Sequence, residues 1–420
     1  MGVVTTVYRD ATIFDGTGAA PAAGMSLVVE EAHLAGVVET ARLDVPEDAQ
    51  VVDLAGRFVI PGLVDAHQHL ATPPDRPKAE AWLRQMVYGG VTAIRDMADD
   101  LRQVGDLARA CLVGEIPGPD IHYAALMAGA GFFDDPRTWQ VSQGEIPGRV
   151  PWMQAITDET DLVIATALAR GTHASAIKVY ADLPTDLVER IVAEAHLQGI
   201  PVWAHLAVFP AMPLDVVRAG VDVVSHVSLL AWQAQEASAM AYGTKARIDP
   251  SSIDPDDPRI TEVLAAMVER GTILDVTASM WESHEVLDGA DAAARERARG
   301  NATMSAELTR RAFDAGVSIC AGSDNEARAD APFPTLHEEL YFLHERCGMP
   351  ADEVLRSATQ IGARSAGAED RMGTLEPGKL ASFVVLDEDP LADLRNLAGI
   401  WCTVKRGVAH PRADFVVGGE

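Results

Sequence analysis

The sequence predicts an α/β barrel carrying a small β-sandwich built from both ends of the chain. Three observations lead there. Both ends of the 420 residues are short β-type runs broken by turn residues. The middle repeats one unit, a helical stretch closed by Gly and followed by a short apolar run ending in a polar residue. The polar residues that end those runs form one chemically coherent set. The expected boundaries are residues 1–60 plus 372–420 for the sandwich and 61–371 for the barrel.

At the N-terminus the runs are Val3–Tyr8, Ala11–Phe14, Ser26–Glu30, Gly36–Glu39 and Val51–Leu54, with turn signals at Asp15–Gly18 and Pro46–Asp48. The tail repeats the pattern with Ser382–Leu386 and Ile400–Arg406, separated by Gly373, Pro377, Gly378 and Gly407. Neither piece alone has enough strands for a core, so the two are expected to pack together. The central units are Gly90–Asp96, Gly199–His205, Gly220–His226 and Gly316–Asp324, and Gly171 and Gly271 open similar ones. A Gly after the last helical turn supplies a left-handed cap, and near-continuous apolar strands belong to parallel sheets covered on both faces. A helix is expected over Asp186–Gln198, with Leu187, Ile191 and Ala195 on one face and Thr185 as N-cap. This alternation fits a barrel or a doubly wound sheet. No G-x-G-x-x-G or Walker A glycine pattern is present, which favours the barrel.

Composition narrows the partners. With 48% hydrophobic and 23% charged residues the chain is globular. Lys plus Arg number 34 against 62 Asp plus Glu, a net charge of −28 that repels phosphate backbones, so no nucleic-acid partner is expected. No apolar run reaches the roughly 18 residues of a membrane helix, and the first residues lack the pattern of a secretory leader. Cys111, Cys320, Cys347 and Cys402 lie far apart without a C-x-x-C pair, which reads as a reduced, cytoplasmic chain. What remains is a small-molecule substrate, with a homo-oligomer left open.

Strand ends of a parallel barrel meet around one mouth. His67 and His69 follow an apolar run at i and i+2 and so point to the same side. His205 and His226 each close another strand, and Asp324 follows Val317–Ala321. Four imidazoles and a carboxylate suit Zn²⁺ first, with Mn²⁺, Co²⁺ or Fe²⁺ open. His122 and His284 also follow apolar runs and are candidate substrate contacts. Lys178, one of five lysines, stands inside the strand pattern Ser175–Tyr180, where desolvation lowers an amine pKa. A neutral amine there can take up CO₂ as a carbamate that bridges two cations. Pairing with Asp182, or snorkelling to solvent, is the alternative.

The stretches Asp53–His69, Gly90–Asp96, Ala358–Arg364, Gly373–Ala381 and Val385–Leu391 carry a resemblance to the amidohydrolase superfamily over essentially the whole chain. It is closest in pattern to the branch of imidazolonepropionase-like, Xaa-Pro dipeptidase-like and N-acyl amino-acid hydrolases. One departure is Ser382, where the family usually has Asp. The resemblance implies a (β/α)8 barrel with a sandwich from both termini. It implies one metal on His67, His69 and Asp324, a second on His205 and His226, and carbamylated Lys178 between them. A metal-bridging hydroxide would then attack an amide or peptide-type carbonyl, with Asp324 carrying the proton to the departing nitrogen. Tyr180, on the same strand face as Lys178, either donates to the developing oxyanion or packs, and Arg95 and Asp96 are expected to pair and support the metal shell.

Three alternatives remain. Lactones or phosphotriesters suit the same chemistry, and a one-metal deaminase is disfavoured by the fourth-strand lysine. A non-catalytic scaffold is disfavoured because all six ligand types are present. Selectivity is expected in the segments Met127–Asp158 and Leu229–Asp257, whose aromatic residues suit an apolar substrate part or simply pack the loops.

Overall fold

A computed structural model describes residues 4–418 apart from 73, 236–240, 245–246, 287–289, 327 and 329. Eight parallel strands form the barrel: β1 (Leu63–Gln68), β2 (Val91–Asp96), β3 (Asp120–Gly129), β4 (Ala176–Val179), β5 (Val202–His205), β6 (Val223–Ser225), β7 (Ile273–Asp275) and β8 (Ile319–Cys320). Each pairs with the next in order. The Ala66 amide donates to the Ala321 carbonyl (2.9 Å) and brings β8 back to β1. Ala66, Met97, Ala124, Ala176, Val223, Ile273 and Cys320 pack with Trp203 in the interior. That is a packed core, as the fold requires. Among the described residues no helix is long and apolar enough to cross a membrane.

The terminal sheet joins Thr5–Ile13, Ala22–Glu30, His33–Glu39, Gln50–Asp53 and Phe58–Pro61 to Phe383–Leu386, Ile400–Lys405 and Val408–Pro411. Phe58–Pro61 is the seam, pairing with Thr12 and Ile13 on one side and antiparallel to Phe383–Leu386 on the other. Tyr8, Leu27, Leu34, Val59, Phe383 and Val404 give this sheet a core of its own. The runs expected at Val3–Tyr8 and Ala11–Phe14 are one strand. It bends through a register shift between Tyr8 and Ala11, with Asp10 left-handed (φ 62°), and Val3 lies outside the described residues.

Local signals hold in most of the repeated units. Gly199, Gly220, Gly271 and Gly316 all adopt positive φ at helix ends. Gly171 does not; its helix runs Leu162–Gly171, and His173 (φ 63°) makes the left-handed turn instead. The helix expected from Asp186 spans Thr185–Leu197 and buries Leu187, Ile191 and Ala195. Its N-cap is Pro184, whose extended backbone starts the helix one residue earlier and places Thr185 inside the first turn. The segment Met127–Asp158 is more ordered than a loop. It continues β3 to Gly129, then adds a helix at Pro136–Val141 and a strand Met153–Ile156 parallel to Leu126–Gly129.

An ion cluster ties the terminal sheet to the floor of the barrel. Asp120, first residue of β3, accepts from buried Lys405 (2.9 Å) and from Arg406 (2.8 Å), and Lys405 also donates to the Cys111 carbonyl (2.9 Å). Removing one partner of a buried pair costs roughly 3–5 kcal/mol, because the other charge stays buried. Asp120→Ala is therefore expected to lower the urea-unfolding free energy by about that amount; a loss under about 1 kcal/mol would mean Lys405 finds water or another acceptor.

Candidate active site

Strand register builds the site. His205 of β5, Ser225 of β6, Asp275 of β7 and Cys320 of β8 are neighbours on one rung of the barrel. Lys178 of β4 lies one layer below, level with Trp203. Its stem climbs to the upper rung, where Nζ donates to Ser225 Oγ at 3.4 Å. Ser225 in turn donates to Asp275 Oδ2 at 2.7 Å. Lys178 is fully buried and is neither snorkelling nor paired with Asp182, whose Oδ1 accepts from the Tyr242 amide instead (2.6 Å).

His67 and His69 leave β1 toward Asp324. Their Nε2 atoms lie 3.5 and 3.7 Å from Asp324 Oδ1, and the ligand atoms of the three residues all fall within 4.8 Å of one another. His226 Nδ1 lies 3.6 Å from the other oxygen, Oδ2, and the His226 ring sits 4.9 Å from His67 and 4.7 Å from His205. Tyr180 covers His205, ring centres 3.9 Å apart. Two backbone conformations sustain this convergence. His226 (φ 75°) and Asp324 (φ 44°) are both left-handed, each costing about 1–2 kcal/mol. The His226 amide donating to the Asp275 carbonyl (2.9 Å) and the Asp324 amide donating to the His67 carbonyl (3.0 Å) hold them there.

Burial sets the charge states. His67 is driven well below the usual imidazole value by desolvation and then by Lys178, and His226 by desolvation and then by His67. Burial also opposes charge on His69, but Asp99, Asp324 and Asp96 override it and push that ring up to about 9. Burial lowers Lys178 to about 7, with Arg95 adding to the effect and Asp275 opposing it, and raises Asp324 to about 6 against the pull of His69. The walls above are largely apolar: Trp82, Leu126, Phe132, Met153, Met280 and Trp281 line a cavity of about 440 Å³ with the imidazoles at its base.

Two expectations need correction. Arg95 and Asp96 do not pair, because adjacent strand residues face opposite ways. Arg95 reaches Asp275 Oδ2 (3.2 Å) and lies over Trp203, while Asp96 accepts from the Leu70 amide (3.0 Å). His122 is not on the cavity wall. The apolar run before it only begins β3, which continues seven residues further to Gly129, so His122 sits at the barrel's floor near Asp120, Arg371 and Arg406. The structure places His284 on an outer chamber beside the cavity that holds the imidazoles.

Two buried carboxylates escaped the sequence reading. Asp275 Oδ2 takes three hydrogen bonds, from His67 Nδ1 (2.7 Å), Ser225 and Arg95. A carboxylate only accepts, so the His67 proton sits on Nδ1 and the Nε2 lone pair faces Asp324. The Gly271–Asp275 unit carried the signal, since it matches the others and ends in an acid. Glu339, on the helix Leu336–Glu345, accepts from the amides of Ala278 (3.1 Å) and Ser279 (2.7 Å), just ahead of the turn that carries Met280 and Trp281 to the cavity.

The donor set fits divalent cations. It offers two imidazoles held neutral, two more imidazoles within reach, a carboxylate between them, and a buried amine close to its neutral form. The sequence model of the Amidohydrolase family matches residues 58–409. The chain is 24% identical over 380 residues to imidazolonepropionase of Salmonella agona strain SL483, which covers 87% of this chain and 86% of that enzyme. A Xaa-Pro dipeptidase with methionine bound in its active site has a TM-score of 0.75 at 21% identity, covering 97% of this chain and 100% of the other. A. niger ochratoxinase gives 0.75 at 22%, covering 100% and 98%. At these identities the structural likeness establishes the fold.

Burial raises Glu339 from 4.5 to about 7, against the bonds from Ser279 and Ala278. The native state then keeps a proton that the unfolded chain loses above about pH 4.5, so stability falls as pH rises through the window up to about 7. Glu339→Gln should remove that part of the slope, up to about 3 kcal/mol. Urea unfolding of metal-stripped parent and variant between pH 5 and pH 8 measures it; parallel profiles would contradict the assignment.

Proposed function

The chain belongs to the amidohydrolase family, hydrolases acting on C–N bonds, and from that premise we propose that it cleaves an amide or peptide-type bond at a centre of two divalent ions held by His67, His69, Lys178, His205, His226 and Asp324. The observation that carries this reading is the meeting of all six side chains, drawn from five strand ends, on one apolar-walled cavity. Two bound divalent ions, Zn²⁺ first among the candidates, supply Lewis acidity toward a carbonyl and a nucleophile from water near neutral pH.

The chain's own residues have separate tasks. Buried Lys178, with its amine close to neutral, adds to CO₂, forming an N–C bond and releasing one proton. The resulting carbamate would place an anion among the imidazoles. Asp275 orients His67 through Nδ1, and Asp99 orients His69 in the same way (3.3 Å). Asp324, facing the imidazoles with both oxygens, takes the proton of the attacking water and returns it to the departing nitrogen. Tyr180 is raised well above its ordinary value by burial and then by Tyr242, which keeps the phenol protonated as a donor to the developing oxyanion. Trp82, Phe132 and Trp281 hold an apolar substrate part and keep water away from the reacting bond.

Protein prepared with bicarbonate is expected to carry about two metal ions per chain. Lys178→Ala should lose metal and lower kcat/KM by more than the roughly 10–100-fold typical of an outer support. Full metal content and rate in that variant would remove the bridging role. Across N-acyl amino acids, prolyl dipeptides, aryl amides, lactones and a phosphotriester, the C–N substrates should be the faster; a dominant lactone or phosphotriester rate would overturn the substrate class.

A further inference from the structure

Beside the cavity over the imidazoles lies a second, larger chamber of about 710 Å³. The two share Arg137, Ser228, Leu229, Tyr242 and Trp281, which stand at the boundary, or neck, between them. A substrate too long for the inner cavity, with its scissile bond over the imidazoles, would extend past these residues into the outer chamber. The outer wall is not a random stretch of surface. Ala294, Arg297, Ala298 and Asn301 sit at i, i+3, i+4 and i+7 of the helix Ala292–Asp314, which is one face of it.

That wall has the opposite sign to the rest of the molecule. In a chain of net charge −28 it carries Arg137, Arg247 and Arg297 against a single carboxylate, Asp135. Asp135 is committed to Arg137, accepting from its amide (2.9 Å), its Nε (3.1 Å) and its Nη2 (2.6 Å). Arg247 and Arg297 are exposed and have no carboxylate partner among the described residues, so both guanidinium groups are available to a ligand in the chamber. His284 on the same wall is held below its usual value by burial and adds no charge near neutral pH. Trp281 and Tyr242 at the neck supply flat apolar surface between the imidazoles and the two guanidinium groups.

We propose that the outer chamber is an anion-binding subsite in which Arg247 and Arg297 hold a carboxylate on the end of the substrate remote from the scissile bond. The preferred substrates are then elongated amides with an apolar body spanning the neck and an anionic tail. This rests on the amide reading above. Planar guanidinium groups match a carboxylate with paired hydrogen bonds. A cationic pocket in an otherwise acidic protein also concentrates such substrates from solution.

Two measurements test it. The first is calorimetric binding of 4-phenylbutyrate and of neutral 4-phenyl-1-butanol to the protein as purified, at low salt. The carboxylate should bind about tenfold more tightly, and that advantage should shrink as salt rises. It should vanish in an Arg247→Gln/Arg297→Gln double variant whose affinity for the alcohol is unchanged. Equal affinities in the parent, or an advantage that survives in the variant because the carboxylate is held by the imidazole site, would overturn the subsite. The second compares 4-nitroanilides of suberic and octanoic acids. The anionic substrate should have the lower KM at similar kcat, and only that difference should disappear in the variant. A KM difference that persists in the variant overturns the proposal. Failure to cleave either anilide alongside the binding preference would sink the amide reading while the subsite stands.

Discussion

The site depends on one buried carboxylate. Asp275 lies at the end of the seventh strand with no exposed surface, and its Oδ2 receives His67 from the first strand, Arg95 from the second and Ser225 from the sixth. Ser225 passes the connection on to Lys178 of the fourth. A charge in that position is tolerable only with such partners. Burial pulls the carboxyl upward, and Arg95 is the main counterweight, itself braced by the carbonyls of Ala66 (2.7 Å) and Ser365 (3.1 Å). The same contact that stabilises Asp275 fixes the tautomer of His67, so fold stability and ligand orientation rest on one group.

Close approach around Asp275 is enforced by the backbone. A Cβ at Gly322 would strike Asp275 Oδ1 and His67 Cβ, so only glycine lets the end of β8 pass this near to β1 and β7. Two residues later the chain turns through left-handed Asp324 and delivers its carboxylate between the imidazoles. A second buried set, Ser323 bonded to Asp65 (2.7 Å) with Gln68 also on Asp65 (2.8 Å), locks the same two strand ends from below. The arrangement is rigid where the chemistry needs fixed distances.

Much of this was legible in the chain. Repeated Gly-capped units pointed to the barrel and to His205, His226 and Asp324, the paired histidines after an apolar run to His67 and His69, and a rare lysine inside a strand pattern to Lys178; all six line one cavity. Strand ends are local features, and the barrel's symmetry converts a local feature into a shared location. What was not legible depended on lengths and on through-space partners. His122 looked like a strand end because nothing in its flanks marks β3 as ten residues long. Arg95 and Asp96 look like a pair on paper, yet alternation sends them apart. Asp275 and Glu339 act through groups 208 and about 60 positions away, and no periodicity encodes such a meeting. The cationic wall was equally hidden, since Arg137, Arg247 and Arg297 come from three separate segments.

The central claim is that buried Lys178, modified by CO₂, joins two ions set between imidazoles from opposite sides of the barrel. Diffraction from crystals grown with Zn²⁺ and bicarbonate, recorded at the zinc absorption edge, tests it most directly. The account predicts two anomalous peaks in the cavity, one beside His67 and His69 and one beside His205 and His226, with planar density extending from Lys178 Nζ toward both. A single peak, or none, next to a bare Lys178 amine would contradict it.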